Sequence, residues 1–274
     1  MARRAPFRER TSRRAAIASG RISRSLPGRG PKHPSLFFHL PKCGGTSLSE
    51  AMYATIPLSH RIGVIDALAT RRAAAMLHFD ADDVLKCHED GENGHLTFDT
   101  REALLLQHMA WDTMLIHGHV LWSETAWSNF GNRYKYVTIM RDPVARMISN
   151  FRMAQRSGVV TQDLGSYLST PIARKHAQVY LRYLCGRNDI PQDEVPDALA
   201  LAKSRLGHFA LIGFLDQTDA FIRAYHDMFG VKLRVAKLNA AKGDEPVFEA
   251  SHRSEIEALC APDLALFEAA RDLV

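Results

Sequence analysis

Leu36-Phe37-Phe38-His39-Leu40-Pro41-Lys42-Cys43-Gly44-Gly45-Thr46-Ser47 decides how this chain is read, because an apolar run ends abruptly in proline, lysine and two adjacent glycines. An amphipathic stretch then continues to Tyr53, so the order is strand, tight glycine loop, helix. A turn of this kind gathers backbone N–H groups around one point, and the helix adds the positive end of its dipole. Lys42 contributes a cation, and Thr46 and Ser47 contribute two hydroxyl donors, which makes the segment a cradle for an oxyanion. The lysine stands before both glycines, so the phosphate-loop pattern G-x-x-x-x-G-K-[ST] is not met. A plain helix-capping turn built on Thr46 or Ser47 is the simpler alternative.

Outward from this loop, strands alternate with helices. Residues 62–86, 102–109, 171–184, 198–206 and 217–229 read as helical, and residues 114–116, 134–140 and 209–214 as strands. That alternation predicts an α/β fold with a mostly parallel central sheet covered on both faces. In such sheets ligands sit beyond the carboxyl ends of the strands. Leu40, Ile116, Met140 and Phe214 are the expected strand ends, so residues just after them converge.

Among those residues are His117-Gly118-His119 and the pair Arg141 and Ser149. Asp142 and Pro143 give a helix start, with the aspartate as N-cap and proline at the first helical position. Val144, Met147, Ile148 and Phe151 follow helical spacing and are expected to face the sheet, leaving Ala145, Ser149 and Arg152 on another side. An arginine fork suits a terminal phosphate, and a serine on the adjoining helix completes its hydrogen bonding. A salt bridge from Arg141 to Asp142, and a surface hydroxyl at Ser149, are the simpler readings. Asp142 also mimics a magnesium-binding aspartate at a strand end, but capping explains it better and no glycine–lysine–serine loop precedes it.

With 274 residues and 46% hydrophobic composition, residues 35–274 suffice for one domain. The net charge of +5 is unevenly spread. Residues 1–34 hold nine Arg and Lys32 against Glu9, a net +9, which leaves −4 on the rest. This basic tail has few apolar residues to offset the entropy of ordering and is expected to be mostly disordered. Charge alone lets it touch an anionic membrane, nucleic acid or acidic polymer; its composition also fits a transit peptide or a solvated extension. Ser12-Arg13-Arg14 lacks the long apolar segment of a twin-arginine signal, and no run approaches the roughly 20 apolar residues of a membrane span. Cys43, Cys87, Cys185 and Cys260 are scattered without a C-x-x-C pair, as in a reducing compartment. The expectation is a soluble, cytoplasmic protein. His78, Cys87, His88 and His95 match no standard ligand spacing, so no metal is expected.

Residues 38–48, F-H-L-P-K-C-G-G-T-S-L, and residues 141–151, R-D-P-V-A-R-M-I-S-N-F, resemble the two nucleotide-binding motifs of sulfotransferases that use 3′-phosphoadenylyl sulfate (PAPS). The similarity is to the branch containing heparan sulfate 2-O-sulfotransferase, whose catalytic H-G-H-V segment resembles His117-Gly118-His119-Val120. Weaker likeness runs through residues 211–229, 237–239 and Asp263-Leu264-Ala265-Leu266-Phe267. The resemblance implies a P-loop-like three-layer α/β/α fold and a metal-independent reaction. It assigns Lys42, Cys43, Gly44, Gly45, Thr46 and Ser47 to the 5′-phosphosulfate, and Arg141 and Ser149 to the 3′-phosphate. Cys43 replaces a common threonine, which keeps the backbone cradle and removes one hydroxyl. It also implies a hydroxyl acceptor on a carbohydrate, His119 as base, His117 as auxiliary, and Lys42 on the leaving bisphosphate. A neutral imidazole accepts a proton near neutral pH, and two histidines separated by one residue in extended backbone point the same way. Two other readings stand beside it: a nucleotide-dependent phosphotransferase using the same cradle, and a non-catalytic nucleotide or polyanion binder relying on the tail. Trp111, Trp122 and Trp127 flank the histidines and suit either sugar stacking or buried packing.

Overall fold

The computed structural model describes residues 7–235 and 250–274, and within them all side chains except those of residues 7–10, 46, 250 and 251. Helix α1 (Phe7–Arg24) precedes strand β1 (Ser35–Phe38), helix α2 (Gly45–Tyr53), strand β2 (Ile62–Ile65), helices α3 (Ala67–Phe79) and α4 (Gly94–Ala110), and strand β3 (Leu115–Gly118). Then follow α5 (Glu124–Phe130), β4 (Lys135–Met140), α6 (Pro143–Ser157), α7 (Leu164–Leu168), α8 (Pro171–Ala177), α9 (Val179–Cys185) and α10 (Val195–Leu206). Strand β5 (Leu211–Phe214), α11 (Thr218–Phe229), α12 (Ala250–Leu259) and α13 (Ala261–Arg271) complete the order.

The five strands form one parallel sheet in the order β2-β3-β1-β4-β5, the centre of a three-layer α/β/α fold. Leu36, Phe37 and Phe38 are buried, as a central parallel strand covered on both faces requires. After β1 the chain crosses to β2 on one side; after β4 it moves to β5 on the other. The crevice between the carboxyl ends of β1 and β4 is therefore a topological switch point. Both anion motifs emerge there.

Four sequence expectations change. Residues 62–65 are an edge strand, not the first turn of a helix, and Asp66 then caps α3 by accepting from the Ala69 amide at 2.8 Å. Strand β3 extends to Gly118, so His117 lies within the ladder opposite Phe37 and only His119 lies beyond it. The apolar face of α6 packs on α8, α12 and α13 instead of the sheet, and Met147 and Phe151 join Tyr167, Ala173, Ile256 and Cys260 in a second core. Periodicity shows that a face is covered but not by what.

The basic tail is the fourth case. Residues 7–24 form α1, which lies on α2. Arg13 Nη1 reaches Glu50 at 3.3 Å, and Arg21 donates to the carbonyls of Ile56, Pro57 and His60 at 3.0–3.2 Å. The ion pair is half-exposed and worth at most about 1 kcal/mol. The carbonyl bonds are contacts that an argument from apolar content leaves out. No helix among the described residues is long and apolar enough to cross a membrane.

Candidate active site

Lys42 and Gly44 both take left-handed backbone angles, φ 65° and 75°. For a non-glycine residue that conformation costs about 1–2 kcal/mol, so the loop is held in a shape the local sequence alone disfavours. Gly44 is the N-cap of α2 and supplies no side-chain cap, which leaves the first-turn amides facing the crevice. Thr46 and Ser47 lie inside the helix, so neither caps it; the Thr46 side chain lies outside the described residues. Cys43 is fully buried, and its thiol meets the Tyr180 hydroxyl at 3.3 Å. Only its main chain can serve a ligand.

Arg141 follows β4 directly, and its Nη1 donates to the Lys42 carbonyl at 3.4 Å, which joins the two motifs across the switch point. Asp142 accepts from the Ala145 amide at 2.8 Å and is committed to capping α6. Ser149 is half-buried two turns along that helix. Burial lowers the pKa of Lys42, and the nearby charges of Arg156 and Arg141 lower it further. Arg156 lies seven residues past Ser149 on the same helical face. Its place beside Lys42 was not read from the sequence, although that spacing marks it. Ser47 opens on a cleft of about 810 Å³ between α1, α2 and residues 232–234, lined also by Arg13, Arg24, Arg29, Lys232 and Arg234 against Glu50. That cleft is not lined by Lys42, Arg141 or His119; the cations gathered at the loop itself are Lys42, Arg141 and Arg156.

The histidines converge on a third that sequence reasoning passed over. His119 Nδ1–H donates to the His39 carbonyl at 2.6 Å, which leaves Nε2 as the acceptor. His117 Nε2 meets His39 Nδ1 at 2.9 Å, and its Nδ1 meets the Tyr53 hydroxyl at 2.6 Å. The His39 ring stacks on His119 at 4.3 Å and on His117 at 4.9 Å between centroids. Burial pushes the pKa of His117 down to about 3 and that of His119 to about 4, with His119 and Arg101 as the respective next causes. Burial, then the two neighbouring imidazoles, hold His39 well below the ordinary range. All three rings are neutral at pH 7.

Two buried networks hold these parts. Arg101 donates to the His119 carbonyl and to Thr70 Oγ1, both at 2.9 Å, and pairs with Glu89. Burial alone would raise Glu89, but Arg101 and Arg71 overcome it and hold the carboxyl down to about 2. On the other side, the Tyr180 hydroxyl donates to the Arg141 carbonyl and accepts from the Arg141 amide at 2.8 Å. Asp263 accepts from the amides of Tyr180 and Leu181 at 2.8 and 2.9 Å and pairs with Arg146 at 3.0 Å. The C-terminal helix thereby fixes the Arg141 turn through Tyr180.

Trp122 is buried against Trp127, Tyr136 and His208 and is core. Trp111 is exposed, but it precedes β3 and stands at the opposite end of that strand from His119. Among the described residues no group of three or more His, Cys, Asp or Glu is placed to hold a metal ion. His78 and His95 are exposed, Cys87 is buried, and His88 turns to Glu89 and Asp90. Residues 237–239 lie outside the described residues.

Neither a family model nor a curated protein matches the chain. One solved structure, from the PezAT chromosomal toxin–antitoxin system of Streptococcus pneumoniae, is similar at 12% identity and a TM-score of 0.35, over 94% of this chain and 97% of that one. A likeness this distant carries nothing about function.

Proposed function

We propose that this chain is an O-sulfotransferase that uses PAPS as donor and a hydroxyl, on a carbohydrate, as acceptor. The observation that carries the reading is the meeting at one sheet end of the Lys42–Gly45 cradle, the Arg141 guanidinium and a neutral His119 with its Nε2 lone pair available. The donor carries its activated sulfuryl group at the end of the 5′-phosphate and a separate 3′-phosphate on the ribose, and the site has a cation for each of these two anionic ends. The first-turn amides of α2, Lys42 and Ser47 suit the phosphosulfate, while Arg141 and Ser149 suit the separate phosphate.

His119 Nε2 takes the acceptor proton as that oxygen bonds to sulfur; the sulfur–oxygen bond to the 5′-phosphate breaks, and its electron pair stays on the phosphate oxygen. Lys42 stabilises the charge gathering there, and the α2 amides do the same at fixed positions. His117 keeps the base in place through the His39 contact, as an orienting group. The carboxylate that a magnesium-dependent phosphotransferase would use at the end of β4, Asp142, is engaged in capping, which favours the sulfuryl reading.

The test compares thermal shifts with 3′,5′-bisphosphate against ATP plus magnesium, then assays sulfate transfer in His119→Ala. The bisphosphate should stabilise the protein, and the variant should bind it while losing turnover. Stabilisation by ATP and magnesium alone would favour the phosphotransferase. Binding that vanishes on deletion of residues 1–34 and ignores Lys42 and His119 variants would favour a polyanion binder.

A further inference from the structure

His39 is the first residue past β1, and its amide continues the ladder by donating to the Gly118 carbonyl at 3.1 Å. Its ring touches three parts of the site at once. One face stacks on His119, Nδ1 bonds His117, and the Nε2 edge abuts the first residue of α2. A Cβ on Gly45 would lie 2.0 Å from His39 Nε2. Gly45 is thus a glycine because the imidazole occupies the side-chain position, and the donor loop seats directly on the histidine cluster.

The hydrogen-bond directions are restricted as well. Tyr53, with its pKa raised to about 12 by burial, keeps its proton at pH 7. When Tyr53 donates to His117 Nδ1, His117 Nε2–H donates to His39 Nδ1; when the chain runs the other way, every member reverses together. In both arrangements His117 carries one ring proton and both its nitrogens are partnered. Removing the His39 ring leaves His117 Nε2 unpartnered in a site largely shielded from water, opens a void against His119, and removes the stop on which Gly45 rests.

We propose that His39 is a positioning residue that locks the base and the donor loop into one unit, by partnering His117 Nε2, supporting the His119 ring and seating Gly45. The inference rests on the sulfotransferase reading for its kinetic consequence only. His39 need not touch donor or acceptor.

The test uses the full chain with His39→Ala and His39→Asn, since an asparagine amide can stand where Nδ1 stands. Turnover is read as release of 3′,5′-bisphosphate from PAPS with an oligosaccharide mixture as hydroxyl acceptor, affinity by calorimetry with 3′,5′-bisphosphate, and ring tautomers by two-bond nitrogen–proton NMR at pH 7.5. His39→Ala should lower kcat by roughly 10- to 100-fold and bisphosphate affinity by a smaller factor, about 3-fold, as Gly45 loses the ring it rests on. His39→Asn should recover at least about tenfold of the lost kcat, a rescue that filling volume alone does not give. In the wild type His119 should show the Nδ1–H tautomer, and in His39→Ala the His117 nitrogen signals should shift as Nε2 loses its hydrogen-bond partner. His117 and His119 signals that are the same in the wild type and both variants overturn the proposal, as does equal kcat in the wild type and His39→Ala. If the wild type releases no bisphosphate, the sulfotransferase reading fails, and the NMR comparison still decides the role of His39. Should His39→Ala not fold, the same signals are read in His39→Asn, where retention of the wild-type His117 nitrogen signals is expected and a shift to those of an unpartnered Nε2 refutes the assignment.

Discussion

Acid should destabilise this protein above the pH range in which ordinary carboxylates titrate, and the reason lies in the histidine cluster. In the unfolded chain a histidine has a pKa of about 6.5. In the folded protein His117 and His119 are held down to about 3 and about 4, chiefly by burial. Between the folded and unfolded values the unfolded state binds more protons, so stability is complete above pH 6.5 and falls as pH drops toward 4. At pH 5 the loss is set by the 1.5 units below the unfolded value, about 2 kcal/mol per histidine at about 1.36 kcal/mol per unit. It barely depends on the folded values so long as they stay below about 4. The two histidines together cost about 4 kcal/mol, a large part of a typical 5–15 kcal/mol. His39 acts in the same direction.

Asp263 acts oppositely, because burial raises its pKa to about 6 despite Arg146, and it returns about 1 kcal/mol at pH 5. Glu89, at about 2, contributes only below its unfolded value of about 4.5. Urea unfolding followed by circular dichroism should therefore give a wild-type stability at least about 3 kcal/mol lower at pH 5.0 than at pH 7.5. For His119→Asn that difference should shrink by about 2 kcal/mol, with Asp263 common to both proteins. An equal drop in the wild type and the variant would refute the assignment of the loss to His119. A wild-type stability that is flat across this range would refute the neutral histidine cluster as a whole.

Other outcomes follow from the same contacts. Gly45→Ala drives a methyl into the His39 ring and should weaken 3′,5′-bisphosphate binding by roughly tenfold in calorimetry, with much of the loss recovered in the double variant with His39→Ala. Tyr180→Phe removes the hydroxyl that ties Arg141 and Cys43 and should cost about 1–3 kcal/mol in chemical denaturation, with a parallel fall in bisphosphate affinity. Because His119 is neutral down to about pH 4, kcat/KM should be flat from pH 5.5 to 8 wherever the fold persists, in place of an acid limb near 6.5.

Much of the architecture was legible because its signals are local. The glycine loop after an apolar run, the Asp142–Pro143 helix start, and the alternation of strands and helices are all written in short windows. What escaped depends on partners distant in sequence. Residues 62–65 are a strand because β3 lies beside them, and the one local mark of the boundary, Asp66 as a helix cap, is absorbed into the longer helical pattern. Residues 7–24 are ordered by carbonyls at 56–60. The cradle residues and Arg141 could be named from the motif, but their supports could not. His39 stood inside the quoted stretch as one more strand residue, and its importance comes from His117 and His119 roughly 80 positions away. Arg101 and Tyr180 sit in segments whose only readable property was helical spacing, and they act by meeting the main chain of His119 and Arg141.

The central claim is that the crevice between β1 and β4 is built for a ligand with two anionic ends and works without a metal. Isothermal titration of the wild type and Arg141→Ala with 3′,5′-bisphosphate, in buffer containing a chelator, addresses it most directly. The wild type should bind with a dissociation constant in the micromolar range, and the variant should lose roughly 10- to 100-fold, the effect of deleting a charge-assisted phosphate contact. Equal affinity in the two proteins, or no binding until ATP and magnesium are supplied, would contradict it.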